Sequence, residues 1–256
     1  MQRLTCGRLK FLHTEILVFV RYAALFFCCF ITINKTFLTL LNFIKNIGKI
    51  ILTTATQFLR DSTRYRHTAL ERVPLAQDLM SSQLDLPRYV EILRAWSSAW
   101  AVLERCIWES PLAFEVSALL PSRRAHLAQD DLLFWQQQRD CEVPAATASP
   151  GLINTLRPTQ VAGLLGICYV ARGASLGNKV ISGHLKKVLP VSRGQGISFF
   201  AHESDESLTW PQWSHSLNTQ LAEPEALAQA VIWADATFAA LLEAFTGAPS
   251  NLSANA

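Results

Sequence analysis

From Gln57 onward, apolar residues recur at the three-, four- and seven-residue steps of helices, and alternating strand patterns between turn pairs are missing. The pattern predicts helices over Gln57–Val73, Pro87–Glu109, Ser122–Arg139, a long run from Pro158 to Leu189, Trp210–Leu221 and Pro224–Thr246. Their ends carry the expected punctuation. Pro74 stops the first, Asp85 caps the second, Pro190 stops the long one, and the last opens at Glu223-Pro224 and ends before Gly247. Val143–Gly151, rich in Pro, Ala, Thr and Ser, is a predicted loop. These elements make an all-α domain of six to eight helices over about 56–247, followed by a flexible tail, 248–256.

The first 55 residues read differently. Ile16–Ile33 is nearly continuous apolar sequence broken by Arg21, and Phe37–Leu52 continues it with Lys45 and Lys49 inserted. Residues 1–56 hold seven basic groups against one acidic, whereas the other 200 hold sixteen basic against nineteen acidic. Such a hydrophobic basic extension suits a membrane anchor or interfacial helix through residues 16–52. The compositional break also suits a misplaced start, with translation beginning near Leu52. A secretory leader fits poorly, because Thr32-Ile33-Asn34-Lys35 is no small-residue cleavage site.

Composition narrows the function. The chain is 50% hydrophobic and 17% charged, enough for a sizeable core, and a net charge of +3 gives no reason to expect nucleic-acid binding. None of the six cysteines forms a CxxC pair or a zinc cluster with histidines, which fits reduced thiols in a cytoplasmic protein. No GxGxxG or GxxxxGK[ST] loop occurs.

Two helices break local rules. On the first, Phe58, Tyr65 and Ala69 define the expected apolar face, and His67 falls roughly opposite Phe58 with Arg60, Arg64 and Glu71 on its own side. A lone histidine there is ordinarily just solvated. Two guanidinium groups one and two turns below an imidazole would instead suit a metal-bearing ligand with carboxylate tails. The long helix contains Gly163, Gly166, Gly173, Gly177 and Gly183, and each interior glycine costs up to about 1 kcal/mol against alanine. Gly166, Gly173 and Gly177 share one face. Either they allow close helix packing, or they bring bare backbone against a flat ligand.

Together these helices resemble the heme oxygenase family, particularly its bacterial, bacteriophytochrome-associated branch. Leu59-Arg-Asp-Ser-Thr-Arg-Tyr-Arg-His67-Thr-Ala-Leu-Glu71 is similar to the family's opening helix, which bears the proximal histidine. Tyr169-Val-Ala-Arg-Gly173-Ala-Ser-Leu-Gly177 is similar to its distal-helix signature, and Phe199-Phe200 with Thr209-Trp210 to a downstream segment. The resemblance implies that His67 is the metal ligand, binding heme iron through Nε2 and leaving the opposite position for O₂. It implies Arg60 and Arg64 as partners of the heme propionates, with Lys179, Lys186 and Lys187 as further candidates. Gly173 and Gly177 would let the distal helix approach the porphyrin, with Ser175 a candidate helper in proton delivery. Heme would be both cofactor and substrate, cleaved at a meso carbon to biliverdin, CO and iron with electrons from a donor such as ferredoxin or a reductase. A bacteriophytochrome is a possible recipient of the product.

The chain departs from the branch at Ala174, where serine is usual and where animal-type enzymes carry an aspartate. Arg172 stands where an acid is common, Asn178 where a small residue is, and Ala201-His202-Glu203-Ser204 replaces a Gly-Tyr-Gly-type turn. A non-catalytic heme-binding or heme-sensing protein on the same fold is the alternative reading. A di-iron oxidase would need Glu-x-x-His pairs, and there are none.

Overall fold

Thr54 opens the first described helix by accepting the Gln57 amide on its side-chain oxygen (3.3 Å), and α1 runs Ala55–Glu71. The computed structural model describes residues 54–138, 151–191, 195–201 and 207–246. The N-terminal extension, most of the predicted Val143–Gly151 loop, the His202–Ser204 turn and the 248–256 tail lie outside them. From Thr54 onward the chain is one compact unit. After α1 come α2 (Pro74–Leu79), α3 (Leu86–Trp108), a 3-10 segment (Ala113–Leu119), α4 (Ala125–Gln138), a 3-10 turn (Ile153–Thr155), α5 (Val161–Val188), α6 (Ser198–Ala201), α7 (Trp210–Gln220) and α8 (Pro224–Thr246). No strand occurs among the described residues, as expected.

The six predicted long helices are all present within three residues of their expected ends, and two short ones, α2 and α6, went unpredicted. Pro74, read only as a stop, also starts α2, since its missing N–H is an orphan at a helix start anyway. Asp85 caps α3 as predicted, accepting the Arg88 amide at 2.9 Å. The start of α4 is fixed from elsewhere: Glu104 Oε1, buried on α3, accepts the amides of Arg124 (2.6 Å) and Ala125 (3.0 Å). Arg124 itself is buried over the Trp100 and Phe199 rings, and burial pushes its guanidinium down to about 10.

α8 is the axis of this unit. It packs against both α1 and α5, while α1 and α5 barely touch each other. By length and composition it could cross a membrane. Its apolarity is explained here by a face of small residues (Ala230, Ala234, Ala240, Ala244) buried in the core. Gly166 is the point of closest approach: a Cβ there would lie 2.2 Å from the Ala230 carbonyl oxygen. Gly196 is equally constrained. Its φ of +78° favours glycine, and the Trp135 ring would lie 2.4 Å from a Cβ. Its carbonyl accepts the Trp135 indole N–H (2.7 Å) and the Tyr89 hydroxyl (3.1 Å).

Asp131, 2% exposed, accepts the amides of Ser198 and Phe199 at 2.8 Å each and so seats α6. Burial pushes its carboxyl up, and those two amides pull it partly back. An acid with a raised folded pKa holds its proton more tightly folded than unfolded. Its contribution to stability therefore falls as pH rises from the ordinary carboxylate range through the raised value. Asp131→Asn removes that titration and leaves one amide without its acceptor, a loss of about 1–3 kcal/mol. The loss should be smaller at about pH 7 than at about pH 4, read from urea midpoints. A loss that grows with pH would contradict this.

Candidate functional site

The face that α1 buries is not the one its sequence suggested. Ala55, Leu59 and Thr63 are buried, whereas Phe58 is 45% and Tyr65 59% exposed. Polar partners explain the shift. The Thr63 hydroxyl donates to the Leu59 carbonyl (2.8 Å), which lets it enter the core. The Tyr65 hydroxyl donates to Asp235 (2.6 Å), an acid that Arg66 also grips at 3.1 Å. His67 thus lies about 40° round the helix from buried Thr63, at the seam between core and solvent, rather than on a wholly polar face. Its ring meets Phe238 of α8 edge-on at 5.7 Å. Its Nδ1 lies 3.4 Å from the Glu71 carboxylate, with the imidazole 57% exposed. Nε2 has no partner among the described residues.

Three helices run in the same direction at this point. Ala230 lies against Gly166, and fifteen residues later Phe245 joins Trp96 (4.9 Å), which meets Phe199 (6.2 Å), whose carbonyl accepts the Asn178 amide (3.4 Å). α8 and α5 are therefore parallel. On the other flank Arg66 pairs with Asp235 and His67 with Phe238, so α1 runs with them. Phe238 lies eight residues beyond Ala230, and eight residues beyond Gly166 is Ala174. Counted from these two contacts, His67 and Gly173–Ala174 fall at about the same height along α8.

The glycine row divides at this height. Gly163 and Gly166 are packing glycines, with α8 atoms inside 3 Å of a notional Cβ. Gly173 and Gly177 are not: among the described residues, a Cβ on either meets nothing within 4 Å. Beside them Leu176 (53%) and Val180 (67%) stand exposed, an apolar lip on this side of α5. The packing explanation holds for Gly163 and Gly166, while Gly173 and Gly177 leave their side of α5 open.

The other predicted residues distribute unevenly. Arg60 and Arg64 lie below His67, and both pair with Asp61, at 3.7 Å and 2.6 Å. Across the gap the half-buried Tyr169 hydroxyl is pushed above its ordinary value by burial, with Arg60 pulling it down and Asp61 pushing it up. Tyr169 went without a role in the sequence reading, although one helical turn separates it from Gly173 and places both on one side of α5. Ser175 and Lys179 are not brought to that side. Ser175 lies about 200° round the helix from both glycines, its hydroxyl donating to the Arg172 carbonyl (2.6 Å). Lys179 is exposed, about 200° from Gly177, and Lys186 and Lys187 are exposed in the last turn. The departures Arg172 and Asn178 are anchors: the Arg172 guanidinium donates to the Leu208 carbonyl, and Asn178 ties α5 to α6. A groove of about 460 Å³ lined by Arg105, Cys106, Leu156 and Arg157 lies before the start of α5 and contains none of the predicted site residues.

α5 presents bare helix backbone with an apolar lip at Gly173 and Gly177, and α1 presents an imidazole with an unpartnered Nε2 above two guanidinium groups. An iron porphyrin with carboxylate tails fits that donor set.

The described residues form an all-helical domain in which α8 packs against both the first and the longest helix. The chain belongs to the heme oxygenase family, whose model, described as heme oxygenase, matches residues 53–246, and it is an oxidoreductase of that family. A search of curated proteins finds no match. Among solved structures it is similar to the heme oxygenase of Leptospira interrogans, at 17% identity and a TM-score of 0.59, covering 76% of this chain and 100% of that one. It is likewise similar to heme oxygenase-2 of Synechocystis in complex with heme and NO (16%, 0.59, 75% and 84%). A third is the NO- and CO-bound heme oxygenase of Neisseria meningitidis (20%, 0.52, 79% and 99%). At these identities the likeness is one of fold.

Proposed function

We propose that this chain binds heme in the cleft and cleaves it oxidatively at a meso carbon, giving biliverdin, CO and free iron. The observation that carries the reading is His67 at the height of Gly173, with unfilled space above Gly173 and Gly177. Bound heme would supply the redox-active iron and is itself the molecule cleaved; O₂ and electrons from a ferredoxin or reductase complete the reaction. His67 Nε2 would hold the iron, and Glu71 beside Nδ1 would orient the ring and strengthen it as a donor. Gly173 and Gly177 leave room on the α5 side for a small molecule. Arg172 and Asn178 fix the height of that wall by tying α5 to the segments behind it. Arg60 and Arg64, with Tyr169 near enough to feel Arg60 and Asp61, would receive the propionates. Ala174 offers no titratable group, so protons would arrive through backbone and solvent. The product could pass to a bacteriophytochrome, and the setting would be cytoplasmic.

Incubating the full chain with hemin, O₂ and ferredoxin plus its reductase should replace the Soret band by bilin absorption. A Soret band that persists under reducing, aerobic turnover would favour a non-catalytic heme binder on the same fold.

A further inference from the structure

Asp61 is an acid in the middle of a basic seat. Its Oδ1 lies 2.6 Å from Arg64 Nη2 and 3.7 Å from Arg60 Nε, so one carboxylate bridges both guanidinium groups of α1. The three side chains are 63%, 46% and 68% exposed for Arg60, Asp61 and Arg64, so the cluster is open to an incoming ligand. The same acid reaches across the cleft electrostatically to Tyr169 on α5. Chemically, Asp61 presents to Arg60 and Arg64 the group that a propionate would present.

We propose that Asp61 is a positioning residue that occupies the propionate seat with its own carboxylate, keeping Arg60 and Arg64 ordered and holding down the affinity for heme by competing for them. This rests on the heme-binding reading above. Half-exposed ion pairs are weak enough for a ligand carboxylate to displace. The seat carries one net positive charge with Asp61 and two without it, facing a dianionic ligand edge. A unit charge a few ångströms away in a largely aqueous setting is worth roughly three- to tenfold in affinity, and salt screens it.

The test uses the full chain, its Asp61→Asn variant, hemin, and hemin dimethyl ester, which lacks the propionate charges. Asp61→Asn should bind hemin about three- to tenfold more tightly at low salt, with the gain shrinking at high salt and absent for the diester. Unchanged or weaker hemin binding, or an equal gain for the diester, overturns the proposal while leaving heme binding intact. A wild-type chain that takes up no hemin overturns both the proposal and the function it rests on.

Discussion

Gly173→Leu is expected to leave the ligand-free protein at least as stable as wild type while cutting its affinity for hemin by tenfold or more. A side chain at this position meets no atom of the described fold, so nothing in the ligand-free protein resists it. Replacing a helix-interior glycine by a good helix former gains about 0.5–1 kcal/mol. The same side chain would fill the space that the bare backbone leaves facing His67, and overfilling a fitted site costs about 1–3 kcal/mol. Gly166→Ala supplies the opposite control. Its single methyl would overlap the Ala230 carbonyl, forcing α5 and α8 apart, so the fold itself should lose about 2 kcal/mol. Two glycines seven residues apart on one helix would thus behave in opposite ways in thermal melts. A stable Gly173→Leu protein that binds hemin as wild type would show that the space above Gly173 is not the ligand's.

Much of the fold is legible in the sequence because it rests on local signals: the proline and acidic stops and caps of α1, α3 and α8 act within one turn. What is not legible depends on partners distant in the chain. The buried face of α1 was misjudged because Thr63 and Tyr65 have hydrogen-bond arrangements that invert their usual preferences, and Asp235, 170 residues beyond Tyr65, is invisible to periodicity. The sequence predicts the start of α4 at Ser122 rather than Ala125 because the acceptor that fixes it, Glu104, lies on another helix. For the site, the motif picked out His67, Gly173 and Gly177. Ser175 lies within the distal signature and Lys179 two residues beyond it, but an angular count along α5 puts neither on the face of Gly173 and Gly177. Tyr169 and Asp61 lay within the quoted segments, yet only the three-dimensional pairing of α1 with α5 gives them a part.

The same geometry makes His67→Ala the most informative substitution. The side chain is half-exposed and makes one ring contact with Phe238 and one ion pair with Glu71, so its loss should leave the fold intact. Losing a supporting partner of a metal ligand costs about 10–100-fold in affinity or activity, and losing the ligand itself should cost turnover more than that. The direct measurement is a hemin titration of the full chain and of His67→Ala, followed by absorption and electron paramagnetic resonance, with and without added imidazole. The account predicts one hemin per chain with a nitrogen-ligated ferric signature, absent from the variant and restored by free imidazole. A variant whose hemin spectra match those of the wild type would contradict it.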